Sequence, residues 1–147
     1  MIADNVMTFN INDYCTPANR YGYLDANHEY RILVALNDDA ADKLWRCQIY
    51  DEEDARINRQ MICLNFHEDT FYYMEDYIFL FLNAKLDLSI NMYEEEIIDT
   101  EHLDGAISVM KNIINNTDNK AVLDFGQKLL EMLKIAKERG TIIGFYF

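Results

Sequence analysis

The sequence predicts a single α+β domain over residues 1–147, with a largely antiparallel sheet, a C-terminal helical hairpin packed on one sheet face, and a C-terminal strand. Two stretches of helical apolar spacing lie side by side: Leu103, Ala106, Ile107, Met110, Ile113 and Ile114, then Val122, Phe125, Leu129, Leu133 and Ala136. Short alternating runs come before them and one comes after, so strands are segregated from helices, which favours α+β over a doubly wound sheet. Half of the residues are hydrophobic, enough for a real core at this length, and no repeat or linker interrupts the chain.

Taken in order, Met7, Phe9 and Ile11 alternate with polar residues as a first strand. Residues 13–27 read as a long loop with Pro17 and an aromatic tip at Tyr21-Gly22-Tyr23. Tyr30 to Leu36 is a β-rich run ending in the turn signal Asn37-Asp38-Asp39. Trp45, Cys47 and Ile49 alternate as the next strand, Asp51-Glu52-Glu53-Asp54 forms a turn, and Ile62, Leu64 and Phe66 mark another strand. Together these runs predict an antiparallel meander. Between Thr70 and Leu82 the signal is divided: Phe71, Met74, Ile78 and Phe81 suit a helix capped by Asp69 or Thr70, whereas the run from Tyr77 suits a buried strand. The reading leans to a helix or an extended mixture before Tyr77 and a strand after it.

Leu86, Leu88, Ile90 and Met92 alternate as a strand, followed by the acidic turn Tyr93-Glu94-Glu95-Glu96. The first hairpin helix is expected from Thr100 to Asn115, capped by Asp99 or Thr100. The second is expected from Asp118 to Arg139, with Asp118 as cap, an Asp124–Lys128 pair on its surface and Gly140 as its left-handed stop. Gly105 and Gly126 sit inside helices, where they read as close-packing positions. Residues 141–147 return as a strand beside an earlier one.

The formal net charge of −13 speaks against nucleic-acid binding through a basic patch and against attraction to anionic membranes. The charge is also segregated: between Arg59 and Lys111 the only base is Lys85, amid eleven carboxylates. The chain opens without a basic n-region or apolar h-region, and no apolar run is long enough to span a bilayer. Cys15, Cys47 and Cys63 show no CxxC spacing and read as buried free thiols of a cytoplasmic protein.

Motifs for chemistry are missing. His28, His67 and His102 are far apart, with no HExxH, and Asp51 to Asp54 lacks the alternate ligands and glycine of a calcium loop. Ser89 and Ser108 stand in no GxSxG context, and the five glycines are scattered singly. No catalytic residue, metal ligand or cofactor is assigned, and the chain reads as a non-enzyme. The acids are instead read as a binding face for a basic protein: Glu94, Glu95, Glu96 and Asp99, joined by Asp51, Glu52, Glu53 and Asp54, with Tyr21 and Tyr23 as aromatic anchors. Tyr72, Tyr73 and Tyr93 are further tyrosines near acids or loops. The competing readings are a small-ligand or metal-dependent enzyme and a scaffold subunit.

The order of an 86–90 strand, the Tyr93–Glu96 turn, a capped helix, a second helix ending Ala136-Lys137-Glu138-Arg139-Gly140 and the closing Gly144-Phe145-Tyr146-Phe147 resembles small bacterial immunity proteins, the cytoplasmic antidotes to polymorphic or contact-dependent toxins. The resemblance is one of pattern over residues 86–147, without a shared functional motif, so no site residue is carried over. It implies a protein that binds one toxin domain and blocks its active site.

Overall fold

The computed structural model describes residues 6–15, 29–46, 60–91 and 95–146. Among the described residues, five strands form one mixed sheet: β1 (Val6–Thr8), β2 (Glu29–Ala35), β3 (Met61–His67), β4 (Glu96–Ile98) and β5 (Ile143–Tyr146), in the order β1-β3-β2-β5-β4. β1 runs parallel to β3, and the other three pairings are antiparallel. The C-terminal strand pairs with an earlier strand, as the sequence predicts, and its place is between β2 and β4. The fold is α+β.

Both faces of the sheet are covered. On one, Tyr30, Ile32, Val34, Leu64, Phe66 and Phe145 meet the hairpin helices α4 (Leu103–Asn116) and α5 (Lys120–Arg139). On the other, Leu33, Ala35, Met61, Cys63 and Tyr146 meet Ala40 and Leu44 of α1 (Asp38–Trp45). This second layer corrects the expected meander. Asn37 is a cap rather than a hairpin turn: its Oδ1 accepts the Ala40 N–H at 2.9 Å, and Asp38 and Asp39 fill the first helical turn. Trp45 therefore ends a helix instead of starting a strand; Cys47, Ile49 and the 51–54 acids lie outside the described residues. The first strand is also shorter than expected, because Ile11 belongs to a 3₁₀ turn (Ile11–Asp13) whose Ile11 N–H donates to Thr70 Oγ1 at 3.0 Å.

The divided stretch is helical throughout. α2 (Glu68–Met74) runs through a π turn (Glu75–Phe79) into α3 (Leu80–Leu86). Asp69 and Thr70 lie inside its first turn, and His67 occupies the cap position without a side-chain bond. Met74, Ile78, Phe79 and Leu82 face the core, while Tyr77, Leu80 and Phe81 are left exposed.

The strand expected from Leu86 onward does not form over the described residues 86–90. Leu86 is the last residue of α3, and Asp87 closes that helix in the left-handed region at φ 54°. The backbone of Ile90 is satisfied by a side chain instead of a neighbouring strand: its N–H donates to Asn83 Oδ1 at 2.8 Å and its C=O accepts from Asn83 Nδ2 at 3.0 Å. The strand of this region is β4, which begins where a turn was expected.

The hairpin helices are where the apolar spacing puts them, with trimmed starts. α4 begins after a turn in which Asp99 Oδ1 accepts the N–H groups of Glu101 and His102. α5 is capped by Asn119, not Asp118, through the N–H groups of Ala121 and Val122. Asp124 pairs with Lys120 Nζ at 3.0 Å and accepts the Tyr14 hydroxyl at 2.7 Å, while the expected Lys128 acts on it through its charge alone. That bond pushes the Tyr14 phenol up to about 12. Gly126 packs against Met110 and Ile114 of α4, and Gly105 against Leu86. Gly140, at φ 67°, ends α5 with the paired Gly140 N–H to Lys137 O and Thr141 N–H to Ala136 O bonds of a Schellman close.

Gly144 holds a tighter constraint. A Cβ there would lie 2.6 Å from the Tyr146 ring, which folds across the glycine so that its hydroxyl reaches Leu44 O at 2.7 Å. Gly144→Ala is expected to cost about 1–3 kcal/mol through overpacking, with about 1 kcal/mol more if the hydroxyl loses its acceptor. Urea unfolding of Gly144→Ala, Tyr146→Ala and the double variant checks this. Because the clash needs the ring, the double variant should lose clearly less than the sum of the singles; strict additivity would contradict it.

Candidate partner-binding cleft

A cleft of about 450 Å³ is lined by Trp45, Asp87, Leu88, Glu95, Glu96, Ile97, Asp99 and His102. Each wall comes from a local rule already met. Trp45 lies beyond the apolar stripe of α1, which is carried by Ala40 and Leu44, and so its side chain is 55 % exposed. Asp87 is the left-handed stop of α3 and Leu88 follows it, and Glu95 to Ile97 enter the edge strand β4. Asp99 and His102 form the turn before α4.

Three acids proposed from sequence, Glu95, Glu96 and Asp99, are thus brought together. Glu94, Asp51, Glu52, Glu53, Asp54, Tyr21, Tyr23 and Tyr93 lie outside the described residues. Tyr72 is buried in the core, and the hydroxyl of half-buried Tyr73 accepts a hydrogen bond from Asn119 at 2.8 Å. Cys63 is buried, whereas Cys15 is exposed, contrary to the expected burial. His67 is exposed.

The four carboxylates of the cleft differ in what they are free to do. Glu96 does not project from a turn. One of its oxygens accepts the Ser89 N–H at 2.7 Å and the other the Ile97 N–H at 3.0 Å, stitching the edge strand to the segment after α3. Asp99 is likewise occupied, by two backbone N–H groups and by His102 Nδ1 at 2.7 Å. Asp87 and Glu95 are exposed and make no hydrogen bond or ion pair among the described residues. Of the four, these two carboxylates are wholly unengaged among the described residues.

The Asp99–His102 contact shifts both groups. The hydrogen bond from His102 holds the Asp99 carboxyl below its ordinary 3.8. The hydrogen bond to Asp99, and then its negative charge, raise His102 above 6.5, with Glu101 and Glu96 pushing the same way. The raised histidine contributes stability fully below 6.5 and loses it as pH rises through its folded value. The depressed aspartate contributes fully above 3.8 and loses it as pH falls through its folded value. The pair is therefore at full strength between those two pH values. NMR titration of the His102 ring protons should give a midpoint above 6.5, returning toward 6.5 in Asp99→Asn. A midpoint at or below 6.5 in the unaltered protein would contradict the geometry.

Sequence reasoning missed Trp45, Asp87 and Leu88. The signal for Trp45 was present in the Asn37 cap and the Ala40–Leu44 spacing, which together leave the next residue off the apolar face. Among the described residues lining the cleft, no hydroxyl, thiol or amine stands beside the His102–Asp99 pair. No group of three His, Cys, Asp or Glu side chains among the described residues is arranged to hold a metal. No described helix is long and apolar enough to cross a membrane. What the arrangement offers is three apolar side chains, Trp45, Leu88 and Ile97, lining one cleft with two unengaged carboxylates. Neither a family model, nor a curated protein, nor a solved structure matches the chain.

Proposed function

We propose that the chain is a cytoplasmic, non-catalytic binding protein of the immunity kind, which captures a basic toxin domain and blocks its active site. The observation that carries this reading is the gathering of Asp87, Glu95, Glu96 and Asp99 around an exposed tryptophan in one cleft. Aromatic anchors within a field of one charge are what a tight interface needs. The field steers encounter, and the buried ring supplies affinity. Carboxylates on such a face can occupy the positions that nucleic-acid phosphates would take against lysine and arginine.

Co-expression tests the reading. Each basic toxin domain encoded beside the gene is induced with and without the chain, and growth is followed. Restored growth with one of them, accompanied by a stable complex, is the expected result. Protection against none of them would overturn the reading.

A further inference from the structure

We propose that the cleft is an arginine-reading pocket, in which the guanidinium of a basic partner lies on the Trp45 indole with Asp87 and Glu95 as its counter-charges. This rests on the basic-partner reading and names the group that enters the cleft.

Three of the described lining residues are apolar, and they are taken as the floor of the pocket: Trp45 is 55 % exposed, and Leu88 and Ile97 are half-buried. An indole held open to water in a concave site keeps a large apolar area uncovered that a partner can still bury. The rim supplies the charge complementarity. No lysine or arginine is among the described residues that line the cleft, and the one basic side chain among them, His102, is already engaged with Asp99. Both oxygens of Glu96 and the Oδ1 of Asp99 accept backbone N–H groups, whereas Asp87 and Glu95 make no hydrogen bond or ion pair among the described residues.

These features select among occupants. An anion is repelled, and a purely apolar ligand would leave the rim unused. A bare metal ion finds no group of three suitable ligands among the described residues. A second copy of this chain brings its own charge of −13. A cation with a flat, weakly hydrated body satisfies both floor and rim. Arginine fits better than lysine, because its planar guanidinium stacks on an indole and forks onto carboxylates, whereas an ammonium is a compact, strongly hydrated charge.

Trp45 is the only tryptophan in the chain, so its emission reports directly on the pocket. The probes are a short acetylated and amidated Arg-Gly repeat peptide and its Lys-Gly counterpart, titrated by fluorescence and by calorimetry at low salt. The expected result is a saturable change in Trp45 emission, with half-saturation about fivefold lower for the arginine peptide than for the lysine peptide. Asp87→Asn and Glu95→Gln should each weaken the arginine peptide while leaving the melting temperature unchanged. Calorimetric binding of both peptides with silent Trp45 emission would overturn the pocket and leave the basic-partner reading standing. Equal half-saturation for the two peptides would overturn the arginine preference, and with it the proposal. Binding of neither peptide would overturn the pocket and count against the basic-partner reading too. Emission that depends on protein concentration without peptide would place a second copy in the cleft, and would overturn the proposal as well.

Discussion

Phe125→Ala should cost about 3–5 kcal/mol, the largest stability loss expected from any single substitution considered for this chain. Phe125 is fully buried on the inner face of α5. Its ring stands edge-on to Phe9 at 5.2 Å, to Phe66 at 5.3 Å and to Phe79 at 6.0 Å. It therefore joins the long hairpin helix to the residue after β1, to β3 and to the π turn in one contact. Deleting the ring removes its transfer energy and opens a cavity that three separate elements cannot close together. Edge-to-face pairs add about 0.5–1.5 kcal/mol beyond area burial, so three of them make a position that resists repacking. Since small domains are stable by only about 5–15 kcal/mol in total, Phe125→Leu should be measured beside it as the milder variant. Urea unfolding followed by circular dichroism checks both. A loss under about 1 kcal/mol for the alanine variant would mean that this cluster is not the centre of the core.

How much of this could be read from the sequence depended on whether one rule or two governed each stretch. The hairpin helices were legible because 14 and 20 residues in turn repeat a single helical period, and the second ends in Gly140, where the φ of 67° wants a glycine. β2 and β3 were legible as apolar β-rich runs. Their near-complete burial, on both faces, also hinted at a second covering layer that the meander reading did not supply. α1 was missed because Asn-Asp-Asp serves equally as a turn and as a cap with an acidic first turn. Only the sheet face waiting for Ala40 and Leu44 decides between them.

The stretch from Thr70 to Ile90 failed for two different reasons. In its first half, the π turn adds a residue to one turn of helix, so no single period describes the apolar positions on both sides of it. In its second half, Leu86, Leu88 and Ile90 do alternate, yet Ile90 is tied to the side chain of Asn83, and a local bond outcompetes a ladder. The acids show the same division. Their clustering was visible as composition, but composition does not tell Glu96, whose oxygens hold two backbone N–H groups, from Glu95 next to it, which holds none among the described residues. A test that reverses all the neighbouring glutamates together would therefore confuse a lost fold contact with a lost partner contact.

The measurement that bears most directly on the central claim avoids that confusion by changing only the two unengaged carboxylates. Asp87→Asn keeps a side chain that tolerates the left-handed backbone at φ 54°, and Glu95→Lys alters an exposed position. Association of the wild type and of this double variant with a basic toxin domain that passes the co-expression test would be followed by stopped flow across ionic strength. Steering by a one-sign cleft raises association by about 10–10³-fold at low salt. The Debye length falls to about 3 Å at 1 M, where the advantage should be gone. The account predicts an association rate at least about tenfold slower for the variant at low salt, converging with the wild type at high salt, with unfolding curves unchanged. Identical association rates at every ionic strength would contradict it, and would reduce Asp87 and Glu95 to solubilising charge.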